Sequence, residues 1–309
     1  MSWSDTIRAR MAARRMRTAS RLTVSWLLAV LGVVLPTTTA GAQTGIDELL
    51  ARVSERVAAF YKRAQSVICI ETSTVQPIDF SYSAQGFART VESELRVEAE
   101  DDDAAGEVTV VREVRKVNGR APREKDGRDR AGCTDPTPLS TEPLAFLLPA
   151  HRSEYQFKSA GPGKDRNRPA FRIDFASVNR KSNPELIEDK AGHDDCFDWS
   201  GHIASSGRIW VDADTFDVLR VERRLGGPVD VRVPLQIQRR HNLDRYVVIQ
   251  REDTTIRYRT VAFSDPDDVL LLPESVESFV VVSGGLQSTR RSQVYSDYRR
   301  FVTAARVVE

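Results

Sequence analysis

The 309-residue chain carries 45 basic and 44 acidic side chains, a net charge of +1. The two signs interleave along the chain, so no basic stripe is available to displace counterions from phosphates, and a nucleic-acid partner is excluded.

The first segment is basic and then apolar. Arg8, Arg10, Arg14, Arg15, Arg17 and Arg21 precede the apolar run Leu22–Leu35, and Ala40-Gly41-Ala42 follows as a small-residue cleavage pattern. The run is short for a membrane span. Residues 1–42 therefore read as a signal peptide, and residues 43–309 as a single exported domain that is periplasmic or secreted and touches the membrane only transiently. Six arginines and one aspartate leave with that segment, which turns the net charge from +1 to −4.

The mature domain opens on one helix. In "TGIDELLARVSERVAAFYKRAQ", Ile46, Leu49, Leu50, Val53, Val57 and Phe60 recur at helical spacing. Acids come early and bases late, which complements the helix dipole. The period then changes to two. "SVICIETSTVQ", "TVESELRVEAE", "EVTVVREVRKV", "AFRIDFASV", "GRIWVDA", "DVLRVERRL", "DVRVPLQIQR", "YVVIQREDTTIRYRTVAF", "ESVESFVVVS" and "TRRSQVYSDYRRF" read as strands. Alternation of apolar and charged residues marks an antiparallel sheet with one packed and one wet face. Asn118-Gly119, Gly226-Gly227, Asp265-Pro266 and Gly284-Gly285 are turn signals between them. Short helices are expected at Glu142–Leu148 and as one turn at Pro184–Lys190. Asn118–Pro138 and Asn179–His202 read as insertions, of a length that is usually functional or mobile.

Three constellations invite a chemical reading. Asp212, Asp214 and Asp217 in "VDADTFDVL" fail as a calcium loop. Counted from Asp212, position 6 is Asp217 where glycine is needed, and position 12 is Arg223 where a bidentate glutamate is needed. They read instead as the turn of a hairpin, in which short polar side chains bond their own backbone. "HDDCFDWSGH" gathers His193, Asp194, Asp195, Cys196, Asp198 and His202 without zinc-ligand spacing. A hydrolase with a dispersed site around His193, Asp195 and His202 is the weakest of the functional alternatives. Cys69, Cys133 and Cys196 allow three pairings, of which a Cys133–Cys196 disulfide with Cys69 buried and free is expected from their surroundings. Nucleotide and nucleophile motifs are missing from the sequence, and neither a cofactor nor a metal is expected.

The order of elements resembles the LolA/LolB-like superfamily of periplasmic lipoprotein carriers. "GRIWVDADTFDVLRVE" looks like that family's central hairpin, "VREVRKVNGRAPR" like the strand pair before its mobile loop, and "LLPESVE" with "VYSDYRRF" like the last strands of an uncharacterised secreted bacterial subgroup. The resemblance implies a mainly β, α+β fold: a large curved antiparallel sheet forming an unclosed β-barrel. The N-terminal amphipathic helix and short helices would cover its concave side. It implies a non-enzymatic binding or carrier protein that holds an apolar small molecule, lipid or lipoprotein in the half-barrel hollow, gated by the helix and the loop Asn118–Pro138. The candidate wall residues are Leu95, Val97, Ile173, Phe175, Ile209, Val211, Leu219, Val221, Ile256, Tyr258, Val280 and Val282. The alternative is an envelope module that binds a protein through a sheet edge or an insertion.

Overall fold

The computed structural model describes residues 40–64, 67–99, 108–123, 143–179, 183–188, 197–201, 203–264 and 267–300, and at 40–44, 64, 97–99, 108–111 and 198 the backbone alone. Residues 1–39 of the expected signal peptide, Cys133, Cys196, His193, Asp195 and His202 lie outside the described residues, and Ala40–Ala42 of that segment begin the first helix.

Helix α1 (Ala40–Ala64) leads into strands β1 (Val67–Pro77), β2 (Arg89–Ala99) and β3 (Val108–Val117). A 3-10 turn (Ala145–Leu147) and α2 (Pro149–Arg152) precede β4 (Tyr155–Asp165), β5 (Arg168–Ser177), β6 (Glu185–Glu188), β7 (Phe197–Ser200), β8 (Ser205–Asp212) and β9 (Val218–Leu225). β10 (Val229–Arg232), α3 (Leu235–His241), β11 (Tyr246–Ser264), β12 (Asp267–Ser283) and β13 (Thr289–Arg300) complete the chain. The strands form one sheet in the order β3-β2-β1-β13-β12-β11-β9-β8-β5-β4. β10 also pairs with β11, and carries β6 and then β7 beside it. Neighbours along the main path are antiparallel, and β3 and β4 end it without meeting, so the barrel is unclosed.

Local sequence explains most of these elements. β1 buries every second residue, Val67, Cys69, Glu71, Ser73 and Val75, as its alternation requires. Asn118 and Gly119 take the left-handed φ values of 48° and 76° that a tight turn needs. Helix α1 buries Ile46, Leu50, Val53 and Val57 against Ile173 and Phe175 of β5, Ile209 and Val211 of β8, Val218 and Val221 of β9, and Tyr258 of β11. A second cluster joins Leu186 of β6, Val231 of β10, Ile237 of α3 and Ile249 of β11.

Four sequence expectations change. "DVRVPLQIQR" is a strand only through Arg232. Pro234 has no N–H for a ladder and starts α3 instead, and Asn242 closes that helix at φ 53°. The helical turn expected at Pro184–Lys190 is strand β6, because Leu186 pairs with Trp199 of β7 and both bury in the second cluster. Of the helix expected over Glu142–Leu148 the described residues form only the 3-10 turn, and α2 starts beyond it with Pro149 at its first position. Finally, Leu219 leaves the wall. Trp210 pairs with Arg220 and Val211 with Val218, so a bulge leaves Leu219 unpaired and turns it to the other face, beside Trp210 and Ala170. Val218 takes the inner position in its place.

Candidate functional site

The concave face holds a cavity of about 480 Å³. Its floor is a set of inward rows from consecutive strands. β9 gives Val221 and Arg223, β11 gives Ile256, Thr254 and Glu252, β12 gives Val276 and Ser278, and β13 gives Tyr295, Gln293 and Arg291. Phe175 of β5 and Tyr155 of β4 close one flank, and Phe146, His151 and Glu154 from the helical segment form the rim. The period of two makes these rows, because residues two apart on a strand share a face. Phe146 stands at the apolar end, with ring centroids 4.7 Å from Phe175 and 5.3 Å from Tyr155. Gly207 makes room for that cluster: a Cβ there would overlap the Glu222 carbonyl and come within 2.8 Å of the Phe175 ring. A smaller cavity of about 250 Å³ shares Tyr155, Ser205, Arg223 and Glu252 and extends toward Trp199 and Ile203.

The cover is fastened from α1. Ser54 donates to the Leu147 carbonyl, the Arg152 guanidinium reaches Ser54 Oγ and, at 3.0 Å, the Leu50 carbonyl, and Leu144 N–H donates to Tyr61 Oη at 3.1 Å. Helix α1 is in turn tied to the sheet at two points of its C-terminal half. Arg56 pairs with Asp217 at 2.8 Å, and Arg63 pairs with Asp268 and donates to the Val269 carbonyl at 2.9 Å.

The "DADTFD" stretch is that first anchor. Asp212 accepts from the backbone N–H groups of Asp214 and Thr215 at 3.0 and 2.9 Å and pairs with Arg168 at 2.6 Å. Burial raises the carboxyl's pKa, but these bonds and the arginine outweigh it and hold Asp212 below the usual carboxylate range. Phe216 sits at φ 61° under the Arg52 guanidinium, 5.0 Å from its ring centroid. These residues shape a hairpin turn.

A buried polar cluster behind Gln293 and Tyr295 of the hollow was not foreseen from the sequence. Glu71 of β1 is wholly buried. It pairs with Arg112 of β3 at 3.0 Å and accepts from Gln293 Nε2 at 2.9 Å and Tyr295 Oη at 3.2 Å. Tyr295 and Glu71 are direct cross-strand partners, and Ser93 faces Glu71 from β2. Burial pushes the Glu71 carboxyl upward, against the pull of Arg112 and of both hydrogen bonds. Burial likewise pushes the Tyr295 hydroxyl up, helped by the Glu71 charge. The signal was present: β1's alternation places Glu71 in the same register as Val67, Cys69 and Val75.

Among the sequence-derived wall residues, Phe175, Val221 and Ile256 line the hollow. Ile173, Ile209, Val211 and Tyr258 are packed beneath α1. Leu95 is buried with Cys69 and Tyr295 on the opposite flank. Val280 is half-buried, two residues beyond Ser278 on β12, and Val282 packs into the second cluster. Val97 is on β2, where the backbone alone is described.

No family model and no curated protein matches the chain. Solved structures resemble it, three of which follow. A DUF1329 family protein from Desulfovibrio piger shares 10% identity over 85% of this chain and 95% of its own, with a TM-score of 0.37. A domain described as an outer membrane lipoprotein-sorting protein, from Vibrio parahaemolyticus, shares 10% identity over 81% and 93%, with a TM-score of 0.33. The MucA/MucB complex of Pseudomonas aeruginosa gives 11% identity over 81% and 99%, with a TM-score of 0.21. At these scores the likenesses carry no functional argument, and the unclosed antiparallel sheet stands on the chain's own strand pairing.

Proposed function

We propose that the protein is an exported, non-enzymatic binding or carrier protein that holds an amphipathic lipid-like ligand in the concave hollow. The observation that carries this reading is the hollow itself. Its volume of about 480 Å³ falls in the range of small-molecule sites, roughly 300–1,000 Å³. Its two ends differ in chemistry. Phe146, Phe175, Val221 and Ile256 offer apolar surface for a chain, while Arg223, Arg291, Gln293 and Thr254 offer hydrogen bonds to a head group. A purely apolar ligand would strip water from those polar groups without offering them a hydrogen bond, which is costly. The expected ligand is therefore amphipathic, a fatty acid, a lysophospholipid or the acylated end of a lipoprotein. The signal segment read in the sequence would deliver the protein to the periplasm or outside the cell. Among the described residues no helix is long and apolar enough to cross a membrane.

The test is native mass spectrometry and lipid extraction of protein purified through its own export route. A bound acyl-bearing species is expected. It should be lost in Ile256→Trp and in Val276→Phe, each of which fills the hollow, while the melting temperature of at least one of the two stays near that of the parent. If no such species is found, and neither oleate nor lysophosphatidylcholine raises the melting temperature, the reading is wrong.

A further inference from the structure

A second apolar feature lies away from the hollow, on the loop between β1 and β2. Phe80 and Phe87 are each 97% exposed and Tyr82 is 48% exposed. Among the described residues the other large exposed apolar side chains occur singly, as on any protein surface, whereas these three share one loop.

The loop has a fixed shape. The Asp79 carboxylate accepts from Ser81 N–H at 2.8 Å, Ser83 N–H at 2.9 Å and Ser81 Oγ at 2.7 Å. Those bonds, that of the Ser81 hydroxyl first, hold its pKa below the usual range, so Asp79 stays ionised in its role as an internal brace. Gln85 N–H donates to the Pro77 carbonyl at 2.8 Å, and Ile78 bridges Ala84. Gln287, from the β12–β13 turn, donates to the Ile78 carbonyl at 2.9 Å. Tyr82 occupies φ 64°, a conformation that a tyrosine adopts only when its surroundings impose it. So the two phenylalanines stand in water on a loop braced by Asp79, Gln85 and Gln287.

Arginines flank the rings, one of them, Arg251, paired with Asp253 at 2.6 Å. The Tyr82 ring lies 5.5 Å from that of Phe279, and the guanidiniums of Arg251 and Arg290 lie 5.0 and 5.7 Å from the same Phe279 ring. On the other side, Asn118 is hydrogen-bonded to Thr90 at the foot of β2, which brings the exposed Arg120 to this end of the sheet. Protruding rings without polar tips, beside exposed arginines, match the chemistry of an anionic bilayer surface: rings enter the acyl boundary and guanidiniums meet phosphates.

We propose that the β1–β2 loop is a membrane-docking wedge that inserts Phe80 and Phe87 into the surface of an anionic phospholipid bilayer. The experiment is flotation of the purified protein with vesicles of phosphatidylglycerol and phosphatidylethanolamine, set against phosphatidylcholine alone. The parent should bind the anionic vesicles. Phe80→Ser/Phe87→Ser should bind them at least roughly tenfold more weakly with an unchanged melting temperature. Phe80→Trp should gain a blue-shifted emission component on the anionic vesicles only. Ile256→Trp, with its hollow filled, should still bind, which separates docking from uptake of lipid. Failure of the parent to bind, or equal binding by the double serine variant, overturns the proposal. Light scattering that shows a dimer of the parent falling to a monomer in the double variant, with no vesicle binding by either, makes a second copy of the chain the occupant and also overturns it.

Discussion

Glu71 shows how one carboxylate can hold three strands together at a cost. It lies on β1, its cation Arg112 on β3, and its donors Gln293 and Tyr295 on β13. A buried ion pair gains little over well-packed apolar residues, yet removing one partner strands the other charge. Glu71→Ala should therefore destabilise the fold by about 3–5 kcal/mol in urea denaturation, whereas Glu71→Met with Arg112→Met should cost far less. The pH dependence has a definite sign. The folded pKa of Glu71 is raised, so the folded state binds its proton more tightly than the unfolded chain does. Stability from this group is then greatest below the unfolded value of about 4.3, and declines as pH rises through the folded value. The stability of the parent minus that of Glu71→Gln should fall as pH rises across that window. A difference that is flat, or that grows with pH, would contradict the assignment. The position of Glu71 was legible, since alternation along "VICIETSTV" puts it on the buried face. Its partners were not, because Gln293 and Tyr295 stand 222 and 224 residues away and meet it only through the pairing of β1 with β13.

At the scale of elements, helix α1 is held by two kinds of contact of unequal strength. Leu50, Val53 and Val57 are buried against the sheet, and Arg56 reaches Asp217 with its own side chain 45% exposed. An exposed ion pair contributes about 0–1 kcal/mol, and a buried leucine truncated to alanine costs about 2–5 kcal/mol. Leu50→Ala should accordingly lower the unfolding free energy by about 2–5 kcal/mol, against less than about 1 kcal/mol for Arg56→Ala. If the two variants proved equal, the helix would be anchored by charge and not by its apolar stripe. The helix and most long strands could be read from periodicity alone, because each repeats its pattern over ten residues or more. Short elements could not. β6 and β7 are four residues each and carry too few residues for a period to show. The bulge at Leu219 escapes any alternation rule, since one extra residue inverts the face of what precedes it.

For the whole molecule, the two buried clusters differ in how firmly they are joined to the long strands. β11 and β12 pair continuously from Val248 to Ser264, with two bulges. The lobe of β6, β7, β10 and α3 hangs on that frame by β10, which pairs with β11 from Val229 to Arg232. Among the described residues β6 meets β10 at one parallel position, Arg232 with Glu185, and β7 meets only β6. Few ladder bonds and a small cluster should let this lobe open while the rest stays folded, since local openings occur below the global unfolding free energy of about 5–15 kcal/mol. Native-state hydrogen exchange should show it. The amides of Leu186 and Trp199 should exchange through an opening of lower free energy, with weaker denaturant dependence, than those of Ile256 and Val276. Equal free energies for the two sets would mean that the lobe and the half-barrel unfold as one unit. The expected opening has a consequence for binding, because Trp199 and Ile203 wall the smaller cavity that shares Arg223 and Glu252 with the hollow. Release of the lobe widens that end of the hollow without disturbing α1. A ligand that bridges both cavities should therefore raise the exchange protection of Leu186 and Trp199 more than that of Ile256, whereas one confined to the main hollow should leave the lobe as it was.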